Sequence, residues 1–174
     1  MELCSVSGDV LIRHAEPAEA DDVGALVERV YRAGGWTDES YSKVLLDASS
    51  RIRDAAVLVA VLNGSPVGTL TIAEPGSPFA NVCGPDELEV RMLAIAPEAR
   101  GRGLASRLMD ACEAMARRGD YRAVVLSTEP DMLAAHRMYE RRGYLRQPDR
   151  DWQVAHSVLQ VFRLDLGEPS RVAG

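Results

Sequence analysis

Lysine is almost missing from this chain. Of its 20 basic residues all but Lys43 are arginines, a skew that reads as the mark of a GC-rich genome. One consequence is chemical: a P-loop needs a glycine, four residues and then Gly-Lys-Ser/Thr, and no such segment exists. Cysteine is sparse too. Cys4, Cys83 and Cys112 are odd in number, widely spaced and without a Cys-x-x-Cys pair, which argues against a disulfide framework and a zinc site. The longest apolar run, Ala55 to Leu62, is far too short to span a bilayer. Met1 to Glu16 has neither the basic start nor the apolar stretch of a signal peptide. A reducing cytoplasm is the expected home, with no membrane partner. His14 and His156 have no partner at a recognisable spacing, and Ser127 reads as a strand-end residue because no Ser/His/Asp grouping surrounds it.

A net charge of -6 argues against a general nucleic-acid binder. The charge is unevenly spread, however. Acids dominate the first half, while Arg91, Arg100, Arg102, Arg107, Arg117, Arg118, Arg137, Arg141 and Arg142 all fall later. That asymmetry suits a local site for an anion, the alternative being solvated helix faces.

With 174 residues, 47% of them hydrophobic, the chain can bury one substantial core, and one domain is expected, with a core over about residues 10–166 and a tail over 167–174. Val10 to Arg13 reads as a strand. Pro17, followed by Glu19, Asp21 and Asp22, starts a helix that Gly34-Gly35 ends, and Tyr41 to Ala48 suggests one shorter helix. Asn63-Gly64 joins two β-rich runs as a hairpin. The Pro- and Gly-rich stretch from Glu74 to Pro85 is a loop, and Leu88 to Ile95 alternates as the next strand. A helix from Leu104 to Gly119 then leads to a strand over Ala123 to Ser127, a crossover that makes the two strands parallel. Met132 to Arg142 is helical, and Tyr144-Leu145 and Val158 to Leu166 close the chain as strands. The class is α/β with a mixed sheet.

Arg100-Gly101-Arg102-Gly103-Leu104-Ala105 lies between the strand and the helix of that crossover. A strand that gives way to a helix through two glycines leaves amide N–H groups free to hold an anion at the positive end of the helix dipole. A dinucleotide fingerprint is disfavoured, because Ser106 stands where a third small residue should follow Gly101 and Gly103. Arg-x-x-Gly-x-Ala, Arg100 through Ala105, resembles the cofactor motif of the GNAT superfamily of acyl-CoA-dependent N-acetyltransferases. Glu89 to Pro97 is similar to that family's fourth strand, and Ala135 to Tyr144 to its last helix and exit. The order of elements from Val10 to Leu166 extends the resemblance over nearly the whole chain.

The resemblance implies a single-domain GNAT-like fold, a mixed and mostly antiparallel sheet whose central parallel strands splay near Leu93 and Val125. Acetyl-CoA would lie in the opening, with no metal. Its pantetheine arm would pair with the backbone of Leu93, Ala94 and Ile95, and its pyrophosphate would meet the amides from Gly101 to Ser106, between Arg100 and Arg102. Ala135 and Arg142 would complete that site. One departure is Met132, where family members often carry an asparagine that contacts pantetheine. By the same resemblance Glu89 is the general base, with Glu87 as its substitute of equal strand parity, and Tyr139 protonates the departing thiolate. His136, one turn before Tyr139, reads as an exposed helix residue. The acceptor would be walled by two loops, Gly34 to Asp38 and Pro148 to Trp152, whose Trp36 and Trp152, with Glu87, suit a cationic amine. The expected activity is acetyl transfer to a small-molecule primary amine in a ternary complex. The alternatives are a coenzyme A-binding sensory or interaction module without turnover and acetylation of a protein N-terminus or lysine. The final strands leave a homodimer open.

Overall fold

The computed structural model describes residues 9–168; Cys4 and the tail from residue 169 onward lie outside the described residues. Strands β1 (Leu11–His14), β2 (Ala56–Leu62), β3 (Ser65–Ala73) and β4 (Glu87–Ile95) form an antiparallel run, and β4 pairs in parallel with β5 (Ala123–Thr128). The sheet ends with β8 (Ser157–Asp165) beside β5 and the two-residue β6 (Leu145–Arg146) outermost, while β7 (Trp152–Val154) pairs with β8. At the β2–β3 hairpin, Asn63 and Gly64 both adopt the left-handed region, with φ of 51° and 80°. This is the turn their types favour.

Helix α1 (Ala20–Gly34) follows a single 3-10 turn over Pro17–Glu19 and buries Val23, Leu26, Val27 and Val30. It ends at Gly35, whose φ of 75° a side chain would resist. Two helices follow where one was expected: α2 (Glu39–Leu46) and α3 (Ala48–Asp54). Asp47 divides them. Its carboxylate accepts hydrogen bonds from the Ser50 amide at 3.1 Å and the Ser50 hydroxyl at 2.6 Å, so the aspartate caps a new helix instead of continuing the old one. Helix α4 (Leu104–Arg118) joins β4 to β5 and buries Leu104, Leu108, Met109, Cys112 and Ala116. Helix α5 (Leu133–Arg141) precedes the last strands. Among the described residues no helix is long and apolar enough to cross a membrane.

Two irregularities in β4 shape what comes next. Opposite β3, Arg91 pairs with Thr71 and Ala94 with Thr69, so Met92 and Leu93 together face one residue, and Met92 takes a φ of 54° to allow it. On the other edge, pairing with β5 runs from Glu87–Ala123 to Val90–Leu126 and stops. Strand β4 continues to Ile95 beside β3, and β5 to Thr128 beside β8, so the sheet opens between its two central strands.

Candidate active site

The opening between β4 and β5 leads into a cavity of about 1330 Å³. That exceeds the ~300–1,000 Å³ of an ordinary single-ligand site, and leaves room for two reactants. Leu93, Ala94 and Ile95 line it on one side and Leu126, Ser127 and Thr128 on the other. Beyond Val90 the β4 edge has lost its strand partner, so its backbone groups are free to pair with an extended ligand.

The turn before α4 borders the same cavity through Arg100, Gly101, Gly103, Leu104, Ala105 and Ser106, whereas Arg102 is exposed and outside the lining. Gly101 and Gly103 have φ of 76° and 71°, and a Cβ added to either would meet nothing within 4 Å. The first backbone amide of this segment to find a protein acceptor is that of Arg107, which donates to Gly103 O at 3.0 Å. Among the described residues, the N–H groups of Gly101 through Ser106 have none. Six unsatisfied donors around an open space, at the start of a long helix, fit a pyrophosphate. Arg142 lies against this turn. It donates to Ser106 Oγ at 2.6 Å and to Glu113 at 3.0 and 2.8 Å, and a further bond reaches Asp110 at 2.5 Å. Its guanidinium therefore fixes α5 onto α4, and Glu113, buried beside it, also accepts from the Tyr144 hydroxyl at 3.1 Å.

Helix α5 supplies Ala135 and Tyr139 to the cavity. The Tyr139 ring is buried, 5.7 Å from Tyr144 and 6.0 Å from Phe162 between centroids, while its hydroxyl makes no hydrogen bond among the described residues. Burial pushes the phenol above its usual range, so at neutral pH it holds its proton. His136 is buried as well, contrary to its expected exposure. It shares the inward face of α5 with Tyr139, packs on Phe162 at 5.2 Å, and hydrogen-bonds Glu129 O through Nε2 at 2.9 Å. Met132 borders the cavity and accepts from Thr128 Oγ1 through sulfur at 3.3 Å.

The two carboxylates of β4 sit in unlike surroundings, and neither belongs to the cavity lining. Glu89 is fully buried. Its Oε2 accepts the amides of Asn81, Val82 and Cys83 at 2.7, 2.8 and 3.2 Å, while its Oε1 is buried with no protein partner among the described residues, an acceptor position that a buried water would satisfy. Glu87, expected at the acceptor wall or as a substitute base, is taken up by the scaffold instead. Arg150 donates to it at 3.1 and 2.7 Å, Arg163 at 2.7 Å and the Gly84 amide at 2.8 Å. Burial pushes its carboxyl up, but Arg150, the Gly84 amide and Arg163 outweigh it and hold the group at about 2. A carboxylate so held is a weak base. Sequence parity alone had no means of separating the two, since the difference lies in which loop folds over each. Burial raises the thiols of Cys83 to about 11 and Cys112 to about 12, which disfavours a cysteine nucleophile.

The remaining wall comes from α1, α2, their connecting turn and the β7–β8 hairpin. Trp36 packs edge-on against Tyr31 at 6.1 Å and donates from Nε1 to Asp131 at 2.9 Å, bridging the α1–α2 turn to the start of α5. Asp38 caps α2 by accepting the Tyr41 amide at 2.7 Å, and its other oxygen lies 3.7 Å from His156 on the hairpin. Trp152 lines the cavity from β7 rather than from a loop, because Trp152 and Leu159 are register partners. Tyr31, Tyr41, Asp131 and Arg91 also line this wall. Sequence reasoning gave none of them a role at this wall, because their convergence depends on how α1, α2 and the segment before α5 pack around β4.

Comparison with known proteins places this geometry. A model of the acetyltransferase (GNAT) family matches residues 21–144. A mycothiol acetyltransferase of Geodermatophilus obscurus is 42% identical over 74 residues, which cover 41% of this chain and 24% of that protein's length. A GNAT-family acetyltransferase of Staphylococcus aureus Mu50 superimposes with a TM-score of 0.73 at 11% identity, over 91% of this chain and all of its own (100%). The PaiA N-acetyltransferase of Thermoplasma acidophilum, solved with coenzyme A, gives 0.70 at 12% identity, over 90% of this chain and 99% of its own.

Proposed function

The chain belongs to the acetyltransferase (GNAT) family, and from that premise we propose that it is an acetyl-CoA-dependent enzyme that acetylates a small-molecule primary amine by direct transfer in a ternary complex. The observation that carries this reading is the opening of the sheet past Val90 and Leu126, directly beside the unsatisfied amides of residues 101–106. Acetyl-CoA supplies an acyl group on a good thiolate leaving group. The free edge of β4 at Leu93, Ala94 and Ile95 would hold its extended arm, and the turn amides its pyrophosphate.

An ammonium must lose a proton before it attacks. Glu89 is assigned that proton, received through a bridging water at Oε1, the one carboxylate oxygen of β4 that is buried and without a protein partner. Tyr139 is assigned the proton that the leaving sulfur takes up. Its support is an unbonded hydroxyl at the cavity on a phenol that burial keeps neutral. As the N–C bond forms and the C–S bond breaks, Tyr139 gives its proton to sulfur and is restored by the second proton that nitrogen loses, while the first passes from Glu89 to water, so a single proton is released per turnover. The bridges of Trp36 to Asp131 and Asp38 to His156 narrow the acceptor wall, which favours a small molecule over a protein chain.

Replacing Tyr139 with Phe tests this assignment. Turnover should fall about 10- to 100-fold while the dissociation constant for acetyl-CoA stays within about twofold. An unchanged rate would remove Tyr139 from the reaction.

A further inference from the structure

Arg91 follows Glu89 by two residues on β4, so both side chains leave the same face of the strand. Their surroundings part there. Glu89 is sealed under the loop between β3 and β4, whereas Arg91 is half-buried and lines the cavity. Only its Nη1 has a protein acceptor, the Phe79 carbonyl at 2.9 Å. Its Nε and Nη2 have none among the described residues, and neither is among the polar atoms shut off from solvent. No carboxylate of the described residues pairs with it. Arg142, which also borders the cavity, is by contrast bound by Asp110 and Glu113.

A second guanidinium reinforces the local charge. Arg51 is fully buried and, among the described residues, donates only to backbone carbonyls, those of Val44, Asp47 and Leu45. Burial lowers its proton affinity, and the charge of Arg91 lowers it further, against the raising effects of Tyr41 and Asp47. Arg91 therefore brings to this wall a positive charge that no salt bridge of the described residues takes up, while Arg51, on α3, is answered in part by the Asp47 carboxylate. A partly desolvated guanidinium with unused donors beside a cavity is matched by an anion, and its planar fork suits a carboxylate. Around it stand Tyr31 and Tyr41, 6.4 Å apart, with Val44 and Leu159 on the same cavity surface. These favour an apolar or aromatic body.

We propose that Arg91 receives the carboxylate of the acceptor, which makes the acceptor an amino acid-like amine with an apolar or aromatic body rather than a simple amine or polyamine. The inference rests on the acetyl-transfer reading only for the fate of the amine; recognition of the carboxylate is a separate property. The test pairs each of phenylalanine, methionine and leucine with its decarboxylated twin. Binding to the coenzyme A-saturated full chain is followed by calorimetry, and thiol release from acetyl-CoA is followed in parallel, for wild type, Arg91→Gln and Arg91→Lys.

At least one amino acid should bind about tenfold or more tightly than its twin. Arg91→Gln should erase that preference with coenzyme A affinity unchanged, and Arg91→Lys should recover part of it. A twin that binds as well as its amino acid overturns the proposal, and so does Arg91→Gln weakening both by the same factor, or the absence of carboxylate binding by wild type. If Arg91→Gln also loses coenzyme A it has unfolded, and the wild-type pairs then decide. Amino acids that bind without thiol release would overturn the transfer reading and leave this one standing.

Discussion

Glu87 and Glu89 show how far one residue's surroundings can change its chemistry. They share a strand face and a residue type, yet Glu87 is clamped by two guanidiniums while Glu89 keeps one oxygen unsatisfied. Glu87 should accordingly report on stability and not on turnover. The folded protein holds its carboxyl at about 2, below the usual 4.5, so its stabilising effect is complete above the usual value and is lost as pH falls toward about 2. Replacing Glu87 with Gln should cost about 2–3 kcal/mol at neutral pH, because Arg150 and Arg163 would be left without their carboxylate. In urea titrations the gap from wild type should shrink by about pH 3. A gap that stays constant over that range would mean that the pairs contribute little. Tyr139 and Glu89 were legible in the sequence as candidates because they fall in recognisable segments. The roles of Arg91 and Glu87 were not, since each is set by a partner more than ten residues away: Phe79 for Arg91, Arg150 for Glu87.

Local chemistry announced most of the elements. The Asn63-Gly64 hairpin, the Gly35 stop and the strand–turn–helix at residues 95–104 all follow from residues with few conformational choices. Two features escaped because they are competitive. Asp47 reads as part of one helix until its side chain takes the Ser50 amide, and Trp152 reads as loop until Leu159 offers it a strand partner. The bulge at Met92 belongs to the same class: nothing about a methionine in an alternating strand signals a φ of 54°. Gly103 offers a test at this scale. Its φ of 71° and open surroundings mean that Gly103→Ala would strain the turn and put a methyl group where the amides face the cavity. Acetyl-CoA affinity should drop about tenfold or more, with the far-UV spectrum unchanged. Wild-type affinity in that variant would place the pyrophosphate elsewhere.

Across the whole molecule, one interruption of a regular pattern organises the rest. Among the described residues seven strand pairings hold the sheets together, and six of them are antiparallel; the single parallel pair, β4 with β5, is the one that ends early. Apart from Glu89, which lies under the loop between β3 and β4, the groups assigned to chemistry meet at that gap. The β4 edge and the amides of residues 101–106 face it from one side, Tyr139 reaches it from α5, and the aromatic wall of α1, α2 and β7 encloses the remainder. The order of elements that builds the gap is readable from hydrophobic period and turn residues, while its width and lining are products of packing. The most direct measurement of the central claim is mass-spectrometric detection of acetylated product, with matching thiol release, when the protein and acetyl-CoA are given a panel of small primary amines. Acetylated amine formed mole for mole with free thiol, and depressed in the Tyr139→Phe variant, is the predicted result. Firm acetyl-CoA binding with no acetylated amine above the protein-free control would contradict it.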